Sequence, residues 1–233
     1  MRDYIIVCVS TTSISDPRIP GARFFNFFDE GKPYSRALQK KTPARINHIA
    51  ELKNRANRAA FEKYPNSTHV VNLESYYLAQ KDSIVRLIES YDRIDDNNVI
   101  LGAPVWFYER HELIRKVRFY DTWACPEMDP SPSYLLVAPD GGYAQVSSVG
   151  SCVIYPRWIW EKYGFHNPAP FPEAGIYYNY LFEKSGLPVL IDFHVKFWRT
   201  KENSEIRDFP WPKRILLTSR KVGRQYRRAL SGK

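Results

Sequence analysis

The side chain best placed to do chemistry in this sequence is Glu74. Val70–Leu73 reads as a short buried strand, and Glu74-Ser75-Tyr76 as the turn at its carboxyl end. Asp82 or Ser83 follows as the N-cap of a helix with Ile84, Leu87 and Ile88 on one face. Open α/β sheets bind ligands in the crevice outside the carboxyl ends of their strands, so a carboxylate delivered there is a candidate ligand group. A second strand end offers hydroxyls. Tyr4–Val9 runs into Ser10-Thr11-Thr12-Ser13, a loop that reads equally as a ligand contact or as a solvated connection. Ser147–Cys152 is built of small residues, as needed where backbone approaches a ligand or another strand. The chain has no Gly-x-Ser-x-Gly, His-Glu-x-x-His, P-loop or Gly-x-Gly-x-x-Gly pattern. Hydrolase, zincin, NTPase and dinucleotide-binding chemistries therefore have no residues to stand on.

The elements that would position these groups follow from periodicity and breakers. Tyr4–Val9 is apolar without alternation, as in a central strand covered on both faces. Residues 14–41 have no clean period and read as irregular. Thr42-Pro43 is a helix start, and Ile46, Ile49, Ala50, Ala56, Ala59 and Ala60 carry one apolar stripe to about residue 62. Its other faces hold Arg45, His48, Lys53, Asn54, Arg55 and Arg58, by default a solvated basic surface. Asn98–Leu101 reads as a buried strand ended by Gly102 and Pro104, and Glu109–Lys116 as a short helix. The prolines at 126, 130 and 132 make 124–133 a loop. Tyr134–Val137 and the alternating Tyr143–Val149 read as strands, the latter at an edge or in a hairpin. Pro156 opens a short helix to about Lys162, Pro172–Ser185 forms a longer one, and Val189–Phe193 is a strand leading to His194.

Bulk properties set the class. A 233-residue chain with 44% hydrophobic residues can bury a sizeable core. The expected fold is α/β, one domain over residues 1–212 with a mainly parallel central sheet flanked by helices, followed by a basic tail over 213–233. Thirty-four basic against 25 acidic residues leave a formal charge of +9, which favours an anionic partner: a nucleoside diphosphate, nucleic acid or a phospholipid surface. Cys8, Cys125 and Cys152 lack metal-ligand spacing and do not suggest a disulfide framework, so a reducing, cytoplasmic compartment is expected. The longest apolar runs fall far short of the roughly 20 residues that span a bilayer, and the first residues are too short for a signal peptide. The tail, with Lys213, Arg214, Arg220, Lys221, Arg224, Arg227 and Arg228, could still rest on an anionic membrane.

Three blocks in order resemble the GT-A glycosyltransferases, and among them the fungal capsule-associated and α-1,3-mannosyltransferase-like family. Ala44-Arg45-Ile46 through Ala50 and on to Lys53-Asn54 is similar to that family's Arg-Ile…Leu-Ala…Arg-Asn helix beside the nucleotide-sugar. Val70–Ile88 resembles the GT-A strand, Asp-x-Asp turn and following helix. Phe119-Tyr120-Asp121-Thr122-Trp123 is similar to the Tyr-Asp-Thr-Trp block. Further matches in Ser147–Cys152, Glu173–Gly186 and Val189–Val195 extend the resemblance over about residues 4–198.

The resemblance implies a Rossmann-like GT-A domain that moves a sugar from a nucleoside diphosphate donor to a hydroxyl acceptor on a glycan, with retention of configuration. It implies donor contacts from Ser10, Thr11, Arg45, Lys53, Asn54, Ser75 and Tyr76. Glu74, with His194 at a later strand end, would bind a divalent manganese or magnesium ion. Asp121 would hold sugar hydroxyls, and either Asp121 or Glu173 would act as base if the reaction inverts. The chain departs from the pattern where Asp-x-Asp becomes Glu74-Ser75-Tyr76, keeping one acid. One carboxylate is the minimum for an ion that takes its remaining ligands from phosphate and water. The alternative is metal-independent transfer, with Arg45 and Lys53 neutralising the leaving diphosphate. Two further readings stay open: a basic nucleic-acid-binding protein, for which no recognised motif is present, and a GT-A-like protein that binds a glycan without catalysis.

Overall fold

The computed structural model describes residues 2–10, 13–29, 43–94, 97–110, 115–119, 142–145, 149, 152–165 and 184–199. Among these, seven strands form one mixed sheet: β1 (Tyr4–Ser10), β2 (Ala22–Phe28), β3 (His69–Glu74), β4 (Ile100–Gly102), β7 (Tyr143–Gln145), β8 (Cys152–Pro156) and β9 (Val189–Asp192). Their spatial order is β2-β1-β3-β8-β4-β9-β7. The β1 strand pairs in parallel with β2 and β3, and β4 in parallel with β9, while β8 runs against both its neighbours and β7 against β9. Five strands therefore share one direction, and the architecture is α/β with a mostly parallel mixed sheet. A second sheet pairs β5 (Val105–Arg110) with β6 (Arg115–Phe119) antiparallel and with β10 (Phe197–Arg199) parallel.

The pleat explains the layering. Side chains alternate between faces along a strand, so Ile5, Val7, Val70, Val153, Tyr155 and Ile191 point to one side. There they meet Ala50, Ala56, Ala60 and Phe61 of α1 (Pro43–Lys63) and Ile159 of α3 (Arg157–Tyr163). Tyr4, Ile6, Cys8, Val71, Leu73 and Leu101 point to the other side, against Ile84, Leu87, Ile88 and Tyr91 of α2 (Lys81–Arg93). The unalternating apolar runs of β1 and β3 are what a sheet covered on both faces requires. No helix of the described residues is long and apolar enough to cross a membrane.

Several elements differ from the sequence expectation. Residues 14–41 do not all read as irregular, because Ala22–Phe28 is the edge strand β2. Its phenylalanines serve both faces, Phe24 in one cluster and Phe25 and Phe27 against the other, and so show no period. Of the expected helix Glu109–Lys116, the described residues Glu109, Arg110, Arg115 and Lys116 are strand rather than helix. Pairing of Trp106 with Phe119 through Arg110 with Arg115 builds a hairpin instead, a tertiary arrangement that overrides local helix propensity. Neither Asp82 nor Ser83 caps α2. The helix starts after Gln80, whose amide pairs with Trp198 in both directions at 2.8 Å, and the Ser83 hydroxyl donates to the Lys196 carbonyl at 2.7 Å. These three bonds tie the first turn of α2 to β10. The β8 strand begins at Cys152, the end of the small-residue stretch expected to approach a ligand or another strand, and it runs through Pro156 between β3 and β4. Residues 124–133, Tyr134–Val137, most of Pro172–Ser185 and the tail from 213 lie outside the described residues.

Candidate functional site

The carboxyl ends of β1, β3, β4 and β9 lie along one edge of the sheet, bringing Ser10, Glu74, Gly102 and Asp192 to it. Glu74 is half-buried and extended (φ −81°, ψ 143°), the last residue before a single 3-10 turn, Ser75–Tyr77. Alternation along β3 places Glu74 on the same face as Asn72 and Val70, the α1 face. Lys53 reaches that face from α1 and stands 3.5 Å from Asn72 Oδ1. Behind Lys53 lies a buried polar chain. Asn72 Nδ2 donates to the Tyr155 hydroxyl at 2.6 Å, and Asn57 Nδ2 donates to the same oxygen at 3.0 Å. Burial of Asn57, Asn72 and Tyr155 strengthens these bonds and fixes the base on which Lys53 rests.

Burial pushes the Cys8 thiol up to about 12, while the Lys53 ammonium pulls it down and the Glu74 carboxylate pushes it up. Both charges therefore act on the end of β1, one strand from Glu74. A lysine and a carboxylate on the same sheet face can neutralise a diphosphate, with the carboxylate holding either a phosphate-bound cation or a sugar hydroxyl. Among the described residues no group of three or more His, Cys, Asp and Glu side chains could hold a metal ion.

The remaining expected site residues separate into three groups. Ser10 is buried and donates to Asn26 Oδ1 at 2.8 Å, joining β1 to β2. Asn54 is engaged structurally: Oδ1 accepts from Trp160 Nε1 at 2.9 Å and from the Phe165 amide at 2.8 Å, and Nδ2 donates to the Phe165 carbonyl at 2.8 Å. It brackets both ends of the α3 exit against α1. Ser75 stands in the turn after Glu74, where its carbonyl accepts from Leu78. The backbones of Arg45 and Tyr76 lie in α1 and the 3-10 turn, while their side chains, with Thr11, Asp121 and Glu173, lie outside the described residues.

His194 is 64% exposed beside an Asp192 that is 2% exposed. Asp192 Oδ1 accepts from the His194 backbone at 2.8 Å and meets Nδ1 at 3.0 Å, and Ser90 donates to Oδ2. That orients the imidazole with Nε2 outward, the arrangement by which carboxylates hold ligand or proton-carrying histidines. Three strand spacings, about 14 Å, separate β3 from β9. Asp192 also faces α2 rather than α1, so Glu74 and His194 form two places along the edge rather than one ligand set. Asp192, Asn72 and Tyr155 were missed by sequence reasoning. The one signal was a polar residue inside each of three otherwise apolar strands.

No protein-family model matches the chain, and no characterised protein matches it.

Proposed function

We propose that the protein is a nucleotide-sugar-dependent glycosyltransferase of the GT-A type, transferring a hexose from a nucleoside diphosphate to a hydroxyl acceptor. The observation that supports this reading is Glu74 leaving the carboxyl end of β3 on the face that Lys53 occupies. Departure of a nucleoside diphosphate places charge on its β-phosphate oxygen, and stabilising that charge is the largest demand on the site. Lys53 supplies a positive charge held in place by the Asn72–Tyr155–Asn57 chain. Glu74 would supply one hard oxygen ligand to a divalent cation bound together with the donor. That cation, when bound, neutralises the leaving group. Retention needs no dedicated protein base, since the leaving phosphate can accept the acceptor's proton, and His194 held by Asp192 is a second proton-carrying group on the same edge.

Calorimetry with UDP-, GDP- and dTDP-sugars, with and without Mn²⁺, tests this. One donor should bind, and Glu74→Gln should weaken its Mn²⁺-dependent binding by about tenfold or more. Lys53→Met should weaken binding with and without the ion. If no donor binds, or if both variants bind it as the parent does, the reading fails.

A further inference from the structure

At the opposite edge of the sheet, where β1 and β3 begin and β8 ends, lies a cleft of about 570 Å³ lined in part by Arg2, Thr68, His69, Asp92, Asn97 and Trp158. It shares no residue with the Glu74–Lys53 site. One wall is rigidly built. Arg2 donates to the Tyr91 and Ile94 carbonyls at 2.6 and 2.7 Å and to Asn97 Oδ1 at 2.7 Å, closing the carboxyl end of α2. The Tyr4 hydroxyl donates to Asp92 Oδ1 at 2.6 Å. These bonds leave particular atoms over. Asp92 Oδ2 and the Asn97 amide nitrogen have no hydrogen-bond partner among the described residues. The His69 ring, 6% exposed and set against Tyr4 and Tyr91 at 5.5 and 5.3 Å, has a buried Nε2 with none either. Trp158, in the first turn of α3, keeps 39% of its surface exposed at the rim, with its indole N–H likewise unpartnered among the described residues.

We propose that this cleft binds a pyranose ring of a saccharide. An exposed indole offers a flat apolar platform for the C–H face of a sugar, and a carboxylate oxygen and an amide N–H offer directional bonds to its hydroxyls. The charge pattern argues against a phosphate or carboxylate ligand. Arg2 has its guanidinium committed to carbonyls, Asn97 and Asp92, and burial together with Arg2 lowers the His69 pKa to about 4, so the ring is neutral. An anion would then meet Asp92 with no uncommitted cation among the described lining residues. A hydroxyl suits the site because it both donates and accepts. Thr68 Oγ1 takes the Asp3 N–H at 2.9 Å and lies 2.9 Å from His69 Nδ1 and 3.3 Å from the Asp3 carbonyl, so either His69 tautomer fits. The site goes beyond the transfer reading and does not depend on it.

Saturation-transfer NMR on the full chain tests the proposal, using methyl glycosides of mannose, glucose, galactose and xylose, with uridine and guanosine as comparison ligands. At least one glycoside should receive saturation at its ring protons with millimolar affinity. Trp158→Ala, at an exposed position, should weaken that binding about tenfold, and Asp92→Asn should weaken it too, while Glu74→Gln leaves it unchanged. The proposal is overturned if no glycoside receives saturation, if Trp158→Ala binds as tightly as the parent, if Glu74→Gln abolishes the signal, or if only the nucleosides bind. Failure here leaves donor binding at Glu74 untouched, and failure of donor binding leaves this result readable.

Discussion

Tyr155→Phe removes one oxygen from the centre of the α1 face and leaves the ring in place. Tyr155 is fully buried, and its hydroxyl is the acceptor for both Asn72 Nδ2 and Asn57 Nδ2, two amides that are 2% and 0% exposed. Each amide left without an acceptor costs about 1–3 kcal/mol, so the variant should lose about 4 kcal/mol. Rotating the Asn57 amide gives no relief, because its Oδ1 is already buried without a partner. Rotating Asn72 would turn Oδ1 away from Lys53. For a domain of this size the loss corresponds to a thermal midpoint lower by roughly 8–16 °C. Urea unfolding followed by tryptophan fluorescence reads it as a lower midpoint with the slope unchanged. Asn57→Leu removes a stranded donor and an orphaned acceptor at similar volume. The double variant Asn57→Leu, Tyr155→Phe should therefore lose less than the sum of the single changes, by about 1–3 kcal/mol. A Tyr155→Phe protein within about 0.5 kcal/mol of the parent, or strict additivity in the cycle, would refute the polar chain as the support beneath Lys53.

Two further outcomes follow from the geometry. His69 is held neutral in the folded protein with its pKa lowered to about 4, whereas the unfolded chain takes up a proton near 6.5. Its contribution is therefore complete above pH 6.5 and is lost as pH falls towards 4, by about 3 kcal/mol; urea midpoints measured from pH 7.5 to 4 should show this, and His69→Phe should flatten that part of the profile. An equal slope in the variant would place the acid sensitivity elsewhere. Gly102 ends β4 against Val149, and a methyl group at position 102 would sit 2.6 Å from Val149 Cβ. Gly102→Ala should cost about 1–3 kcal/mol in the same unfolding assay, and an unchanged midpoint would show that the Val149 backbone yields.

Much of the central sheet is legible in the residues themselves. Tyr4–Val9 and Val70–Leu73 carry apolar runs that only a doubly covered strand can bury, and the stripe from Ala50 to Ala60 can only be one face of a helix. Those patterns are local, and they bring Glu74 to a strand's carboxyl end and Lys53 to the neighbouring helix without further information. Tertiary structure decided what pairing decides. The sequence around 109–116 favours a helix by propensity, yet Glu109 and Arg110 pair with Lys116 and Arg115 across two strands, and β5 pairs with β10 at Val105–Phe107 in a register that no local pattern specifies. The reversed β8 inserts between β3 and β4, so the distance between Glu74 and His194 depends on strand order, not on sequence separation. Asn54 shows the same limit. Its amide suits a ligand as well as it suits a backbone, and only the arrival of Phe165, more than a hundred residues later, makes it a bracket between α1 and α3. A polar side chain carries its bonding capacity in its chemistry, but its partner is chosen by the fold.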